Sequence, residues 1–206
     1  MKRIRLKLAI LALVSSAASS LAGDIETVSI GHELAGRNCA FCHGPSVQGF
    51  ATAPRLAGQQ PAYIVNQLRS FYDHSRDNPL SQQYMWGAAA KLDSQTSHEL
   101  AAYFAALEPQ PAEDGNPQLV DIGRRLYDEG LPEGNIVPCL SCHGPNAQGV
   151  RDIPRLGGLS YAYLKRKLIQ WGEGYHQSAR APMPGIARKL SEDQIAALAS
   201  YLSFIK

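Results

Sequence analysis

A seven-residue segment that occurs twice constrains this chain more than any other feature of its sequence. The first copy reads Cys39-Ala40-Phe41-Cys42-His43-Gly44-Pro45, and the second reads Cys139-Leu140-Ser141-Cys142-His143-Gly144-Pro145. The spacing Cys-x-x-Cys-His is typical of covalent attachment of c-type haem. Two thiols on one short turn can form thioethers with the vinyl groups of one haem, and the histidine that follows can supply the proximal nitrogen ligand of its iron.

Two other uses of these cysteines have to be weighed, a redox disulfide and half of a zinc site. All four cysteines of the chain fall in the two copies, and both copies continue with His-Gly-Pro. A zinc site made of cysteines alone would need both copies to share one metal and would leave the histidines without a role. We therefore predict two covalently bound haem c groups. Their attachment residues are Cys39, Cys42, Cys139 and Cys142, and their proximal iron ligands are His43 and His143.

The repetition extends beyond the motif and indicates a tandem duplication. At an offset of 100 residues, Pro54-Arg55-Leu56 matches Pro154-Arg155-Leu156. Nearer the end of each copy the offset falls to 98, where Met85 matches Met183. We predict two equivalent domains, unit one at residues 23–107 and unit two at 119–206. The run at 108–118 is polar and rich in proline and glycine, which predicts a semi-extended linker between them.

Each unit is predicted to be all-α, with a helix at its start, middle and end. Apolar residues recur at helical spacing in both middle helices, at Ile64, Leu68 and Phe71 and again at Leu164, Leu168 and Trp171.

Local signals mark the ends and the close contacts of these helices. Pro61 suits the first turn of the middle helix of unit one. Ser191 followed by Gln194 predicts a capping box at the last helix of unit two. Gly31 and Gly123 would let another helix approach closely, the alternative being a weak point in the helix. An insert before Cys139 is predicted to be an idle surface loop, with a partner contact as the alternative.

The first 22 residues read as a secretory signal peptide. A basic start leads into an apolar run from Leu8 to Val14, and small residues around Ala22 suit cleavage before Gly23. An uncleaved membrane anchor is the alternative, but the apolar run is short for a span. Export to the periplasm fits haem attachment, which takes place outside the bacterial inner membrane.

The charge of the exported protein bears on its partners. The chain has 20 Lys and Arg residues, of which four lie in the first 22 positions, and this leaves 16 against 18 acidic residues. An acidic protein disfavours nucleic acid as a partner and leaves basic protein surfaces as candidates.

The two remaining methionines are the candidates for the second axial ligand of each iron. Apart from Met1, the chain has only Met85 and Met183, one per unit at matching positions before the last helix, where we expect loops. Methionines that merely fill a core are the alternative, but their register in the repeat favours ligation. The spare histidines have no counterparts in the other unit and are predicted to be surface or supporting residues. They are His32, His74, His98 and His176. His74 and His176 precede the methionines by 11 and 7 residues, so either one replacing the methionine at one site is the alternative.

Other repeated residues are given supporting roles. The carbonyl groups of Pro54 and Pro154 are expected to accept from Nδ1–H of the proximal histidines and so orient the rings. Arg55 and Arg155 are expected to pair with haem propionates, with an ordinary surface position as the alternative. His/Met ligation raises the reduction potential relative to His/His ligation, and it leaves no open position on either iron. This favours transfer of single electrons over catalysis on a substrate, such as that of a di-haem peroxidase.

The chain resembles the cytochrome c4 family, the di-haem class I cytochromes c of the bacterial periplasm, over residues 24 to 206. The twin haem motifs, the Pro-Arg-Leu segments and the positions of Met85 and Met183 carry the resemblance. It implies two tandem cytochrome c domains related by near two-fold packing, with haem propionates facing each other. It also implies electron delivery from a quinol-oxidising complex towards a haem-copper terminal oxidase. A cytochrome subunit of a periplasmic dehydrogenase complex is the alternative, and peripheral association with the membrane is compatible with both.

Overall fold

The computed structural model describes residues 23–49, 52–176 and 182–206, so the predicted signal peptide at 1–22 lies outside the described residues. Within these ranges the chain is helical, and the only β-bridges are isolated ones. The helices of unit one are α1 (23–38), α2 (Ala40–His43), α3 (Pro61–Tyr72), a π-helical turn (Ser81–Met85), α4 (Trp86–Ala89) and α5 (Ser94–Ala106). Those of unit two are α6 (Val120–Glu129), α7 (Leu140–His143), α8 (Tyr161–Glu173), α9 (Met183–Ala187) and α10 (Glu192–Phe204), with short 3-10 turns at Pro117–Leu119 and Pro132–Gly134. The all-α prediction is confirmed.

The ends of two helices follow from side chains that the sequence marks. Helix α3 begins at Pro61, whose missing N–H would have no partner in a first turn anyway. At α10 the backbone N–H of Gln194 donates to Ser191 Oγ over 3.2 Å, and the backbone N–H of Ser191 donates to the Gln194 side chain over 2.9 Å. The predicted capping box is therefore confirmed, and it satisfies two donors that a helix start leaves without partners.

The first helix of each unit packs directly against the last helix at a glycine. A Cβ atom added to Gly31 would lie 2.1 Å from the carbonyl oxygen of Glu99 in α5. One added to Gly123 would lie 2.0 Å from the carbonyl oxygen of Ala197 in α10. Because no real Cβ fits at such distances, glycine is required at both positions. The prediction of close helix approach is confirmed in both units.

Each unit has its own hydrophobic core, built from the same elements. Core residues of unit one include Ala35, Ile64, Leu100 and Phe104. Those of unit two include Tyr127, Leu164, Leu198 and Leu202. Cys39 packs against the first core and Cys139 against the second, so the core of each unit sets the position of its haem motif.

The segment that joins the units is extended and bonded to both of them. The backbone N–H of Gln110 donates to Gln48 Oε1 over 3.0 Å in unit one. In unit two, Ala112 N–H donates to the Gly158 carbonyl over 3.1 Å and Gly115 N–H donates to Ser203 Oγ over 3.1 Å. These contacts hold the two units side by side, while the exact domain boundaries stay predictions.

Candidate haem sites

Both haem motifs form the same turn at the start of a short helix. The backbone N–H of His43 donates to the Cys39 carbonyl over 2.9 Å, and His143 donates to Cys139 over 2.9 Å. The first cysteine of each pair is partly buried and the second is exposed. Burial raises the pKa of Cys39 and of Cys139 to about 11, so these thiols are protonated at neutral pH.

The imidazole rings of His43 and His143 are buried and held by one ring nitrogen. Nδ1 of His43 lies 2.7 Å from the Pro54 carbonyl oxygen, and Nδ1 of His143 lies 3.0 Å from that of Pro154. A carbonyl can only accept, so Nδ1 carries the proton and Nε2 keeps its lone pair for a metal. Burial lowers the pKa of both histidines, which favours the neutral form that a metal needs.

The backbone around Pro54 and Pro154 explains why their carbonyl groups point at the rings. The N–H of Leu56 donates to the Val47 carbonyl over 2.9 Å, and that of Leu156 donates to the Ala147 carbonyl over 2.7 Å. These bonds tie the Pro-Arg-Leu segment to the turn that follows each motif. A proline in such a segment has a restricted φ and needs no hydrogen-bond acceptor of its own.

Met85 and Met183 both lie on helical turns, so the expectation that they lie on loops is wrong. Met85 ends the π-helical turn, directly before α4, and Met183 is the first residue of α9. The run around Met85 is rich in alanine and holds no proline after Pro79, which favours helix. A π-helical turn is rare and often re-aims a side chain at a functional site. Both methionines are partly buried, and their role as iron ligands stays a prediction.

Arg55 is buried and holds the two units together. Its Nη2 atom donates to the Gly157 carbonyl of unit two, and Nε of Arg155 donates to the same carbonyl over 3.1 Å. Nε and Nη1 of Arg55 are buried and have no hydrogen-bond partner among the described residues. Unpartnered buried guanidinium nitrogens fit an anionic group such as a haem carboxylate. The propionate role of both arginines stays a prediction.

Gln59 and Gln60 make a second set of bonds across the units. The amide Nε2 of Gln59 donates to the Arg155 carbonyl over 3.0 Å, and its Oε1 accepts from the Arg155 N–H over 2.7 Å. Gln60 Nε2 donates to the Gln148 carbonyl over 2.9 Å. Both ends of one glutamine amide are thus used on a single residue of the other unit, which fixes the Pro-Arg-Leu segments relative to each other.

A cluster of buried polar side chains between α3 and α8 was not predicted from the sequence. Arg76 Nη1 donates to Gln67 Oε1 over 2.6 Å, and Lys167 Nζ lies 2.8 Å from His176 Nε2. The residues of each pair are nine positions apart, and the second pair follows the first by 100 positions. The side chains of the two pairs differ in type and in charge. Because the residues differ between the copies, the repeat gave no signal. His32, His74 and His98 are exposed as expected of surface residues, whereas His176 is buried.

The insert before Cys139 packs against unit two, so the prediction of an idle surface loop is wrong. Ile136 is buried and lines the same small apolar cavity as Cys139 and Leu190. The Lys189 ammonium donates to the Asn135 carbonyl over 3.1 Å and ties the insert to the segment after α9. The apolar residues Leu131, Ile136 and Val137 lie among glycines and prolines without helical or strand periodicity, so the sequence could not reveal this packing.

Two properties of the described residues concern metal binding and membrane insertion. No three His, Cys, Asp or Glu side chains within 23–49, 52–176 and 182–206 converge as a metal site. In the same part of the chain, no helix is long and apolar enough to cross a membrane.

Two helical units, each with a haem motif and an oriented histidine, define a di-haem c-type cytochrome. The family model for cytochrome c matches residues 28–108 and 120–206. A cytochrome c4 from Thiocapsa roseopersicina is 34% identical over 195 residues, covering 90% of this chain and 95% of its own. A thiosulfate dehydrogenase electron acceptor from Stutzerimonas stutzeri is 36% identical over 200 residues, covering 93% and 89%.

A solved structure agrees with these relatives. Cytochrome c4 from Acidithiobacillus ferrooxidans superposes with a TM-score of 0.75 at 32% identity, covering 81% of this chain and 98% of that one. The chain belongs to the cytochrome c4 family. Cytochrome c domains bind haem c covalently, and the two motifs fit two haems. Members of the family carry electrons rather than act as enzymes, so the partners of this protein are other redox proteins.

Proposed function

We propose that this protein carries single electrons through the periplasm towards a haem-copper terminal oxidase. Its donor in this proposal is a quinol-oxidising complex or a dehydrogenase. The observation that carries the proposal is the pair of equivalent histidine sites, with His43 bonded to Pro54 and His143 bonded to Pro154. The two units that hold them are joined by the buried hydrogen bond from Arg55 to the Gly157 carbonyl. Such an arrangement suits a relay in which one unit receives an electron and the other passes it on.

The residues of the chain have separate tasks in this function. Haem c, when bound, supplies an iron that gains or loses one electron. His43 and His143 present a neutral Nε2 to the metal, because Nδ1 is engaged by a proline carbonyl. Met85 and Met183 are proposed as the sixth ligands, which favour the ferrous state and keep other molecules away from the metal. The four cysteines of the motifs hold the group in place.

The proposed location rests on residues 1–22, with cleavage before Gly23. Export would bring the apoprotein to the compartment where haem attachment takes place. N-terminal sequencing of protein purified from the periplasm tests this directly. A first residue of Gly23 is expected, and a chain that keeps its first 22 residues and sediments with membranes would contradict it.

The oxidase end of the proposal is tested with the haem-loaded protein. Reduced protein is mixed with membranes that contain a haem-copper oxidase, and the oxidation of both haems is followed together with oxygen consumption. Fast oxidation that stops on addition of cyanide is the expected result. Failure of the protein to be oxidised, under conditions in which a known donor of the same oxidase is oxidised, would contradict the terminal-oxidase partner.

A second function is supported by a specific observation. The relative from Stutzerimonas stutzeri is named a thiosulfate dehydrogenase electron acceptor, and it covers 93% of this chain. The protein would then accept electrons from a periplasmic dehydrogenase, as a docked subunit or as its soluble acceptor. Anaerobic reduction of the oxidised protein by a thiosulfate dehydrogenase with thiosulfate tests this. Rapid reduction favours this donor, and reduction only by a quinol-oxidising complex excludes it.

A further inference from the structure

Arg76 is a buried cation at the boundary between the two units. It follows α3 and retains only 8% of its exposure. Its Nη1 atom donates to Gln67 Oε1 over 2.6 Å within unit one, and its Nη2 atom donates to the Tyr163 hydroxyl over 3.4 Å in unit two. The guanidinium carbon lies 4.6 Å from the centre of the Phe71 ring. The side chain is therefore fixed on three sides by residues of both units.

Among the described residues, no carboxylate forms an ion pair with Arg76. The titratable side chains that face it are Tyr63, Tyr163, Arg166, Lys167 and His176. The two ion pairs among the described residues are Arg37–Glu33 and Arg124–Asp121, both far from this point in the sequence and exposed. The neighbouring Asp77 has its Oδ1 engaged by the backbone N–H of His176 over 3.0 Å. Nε of Arg76 is buried and has no hydrogen-bond partner among the described residues. A buried charge with a spare donor fits an anion, because an unpaired buried cation is costly.

The backbone of Arg76 relates it to the first haem site rather than the second. Nε1 of Trp86, the residue directly after Met85, donates to the Arg76 carbonyl oxygen over 3.0 Å. Arg76 also contacts Gln67 and Phe71 on α3 of unit one. The turn that carries the predicted iron ligand Met85 is therefore tied to the residue that carries the buried guanidinium.

We propose that Arg76 binds a carboxylate of the unit-one haem through its Nε–H, while its two terminal nitrogens stay on Gln67 and Tyr163. Arg76 is then a positioning residue that links the haem of unit one to the surface of unit two. The proposal deepens the electron-carrier function, on which it rests, by naming a residue that sets the potential of one haem. The sign follows from Coulomb attraction, because a fixed positive charge favours the state with the added electron.

The equivalent place in unit two supports a difference between the haems. There, Lys167 replaces Gln67 and His176 replaces Arg76, and both side chains are buried. The second copy thus lacks the forked cation that offers several donors at once. Loss of the Arg76 charge should therefore affect the two haems unequally.

The test is a reductive titration of haem-loaded Arg76→Gln, with proton NMR resolving the haem methyl signals of the two units. Arg69→Gln, an exposed arginine on α3, is the matched control. We expect the unit-one potential to fall in Arg76→Gln, the unit-two potential to change less, and both to stay unchanged in the control. Arg76→Lys should restore part of the unit-one potential, because it keeps the charge.

A pH series separates this role from a purely structural one. A carboxylate that loses its arginine should ionise at higher pH, so the pH-dependent step in the unit-one potential should move upward in Arg76→Gln. Unchanged potentials and an unchanged pH profile in a variant with two haems per chain would overturn the proposal. If Arg76→Gln does not fold, Arg76→Lys decides, because lysine keeps the charge but lacks the guanidinium Nε–H. A lowered unit-one potential with a pH step moved upward supports the carboxylate contact, and a wild-type potential with a wild-type pH profile overturns it. None of these measurements needs a partner protein, so they can fail while electron transfer to a partner remains.

Discussion

Unit one and unit two share the parts that hold a haem and differ in what surrounds them. In both units, Nδ1 of the histidine ring donates to a proline carbonyl, and the first helix packs against the last helix at a glycine. The surroundings diverge at Phe41, which is 96% exposed between the cysteines of unit one, where unit two has Ser141. They also diverge at the insert with Ile136, which unit one lacks. The two copies thus share the position and orientation of the histidine, while each has its own surface and its own charges at the boundary between the units.

The largest expected effect is the loss of one of the two covalently bound haems. In the double variant Cys39→Ala with Cys42→Ala, covalent haem should fall from two groups per chain to one, because no thiol remains in unit one. The matching variant of Cys139 and Cys142 should lose the other haem. Mass spectrometry of the intact protein gives the count. Two attached haems in either variant would mean that the attachment residues are assigned wrongly.

Substitution of the methionines tests whether the two irons have the same sixth ligand. Met85→Ala and Met183→Ala should each lower the potential of one haem and let its reduced form bind carbon monoxide, because a ligand position opens. The other haem in each variant is the internal control. Visible spectra of the oxidised protein should lose the weak methionine–iron band by half. A variant that keeps the whole band and does not bind carbon monoxide would show that its methionine is a core residue.

Truncation of Ile136 should destabilise unit two alone. Ile136 is 5% exposed and lies beside Cys139, so Ile136→Ala removes buried apolar contacts and should cost about 2–5 kcal/mol of unfolding free energy. Val137, which is 57% exposed, supplies the control Val137→Ala with little expected change. Urea denaturation followed at the haem absorption of each unit measures the difference. Equal stability of the two variants would show that the insert does not contribute to the core of unit two.

The glycine crossings should respond alike in both units. Gly31→Ala and Gly123→Ala put a Cβ against a backbone carbonyl, and each should cost about 1–3 kcal/mol because the helices have to separate. Gly36→Ala in α1 has no atom within 4 Å of the new Cβ and should stabilise by about 0.5–1 kcal/mol. Thermal unfolding of the three variants makes the comparison. A neutral Gly123→Ala would show that α6 and α10 adapt where α1 and α5 do not.

The last comparison concerns pH and Lys167, the counterpart of Gln67. Burial, with the nearby charges of Arg76 and Arg166, lowers the pKa of Lys167 from 10.5 to about 6 in the folded protein. Between these values the unfolded chain binds more protons than the folded one, so stability rises with pH across that window. The penalty of the buried charge is complete below pH 6 and vanishes above 10.5.

Lys167→Met should remove this rise, and Lys165→Met on the same helix is the control. Urea denaturation at pH 6 and pH 9 measures the difference for each variant. The wild type and the control should be more stable at pH 9 than at pH 6. Lys167→Met should lack this increase. An identical pH response in all three proteins would show that Lys167 does not carry the effect.

Much of the fold and of the haem-binding plan could be read from local patterns. Cys-x-x-Cys-His specifies haem attachment because thioether chemistry needs that spacing on a single turn. The duplication predicts two equivalent units, and the capping residues Ser191 and Gln194 mark a helix start by contacts within one turn. Each of these depends on residues close together in the chain, or on a repeat that can be counted.

The contacts across the two units could be decided only by the tertiary structure. Arg76 and Tyr163 are 87 positions apart, and Gln59 and Arg155 are 96 positions apart. No periodic sequence pattern indicates contacts at such separations. The helical setting of Met85 and the burial of Ile136 also depend on packing against distant elements. The sequence by itself determined the helical class, the duplication and the candidate ligands. Only the folded chain decided which charges are buried between the units, because burial depends on surfaces that meet after both have formed.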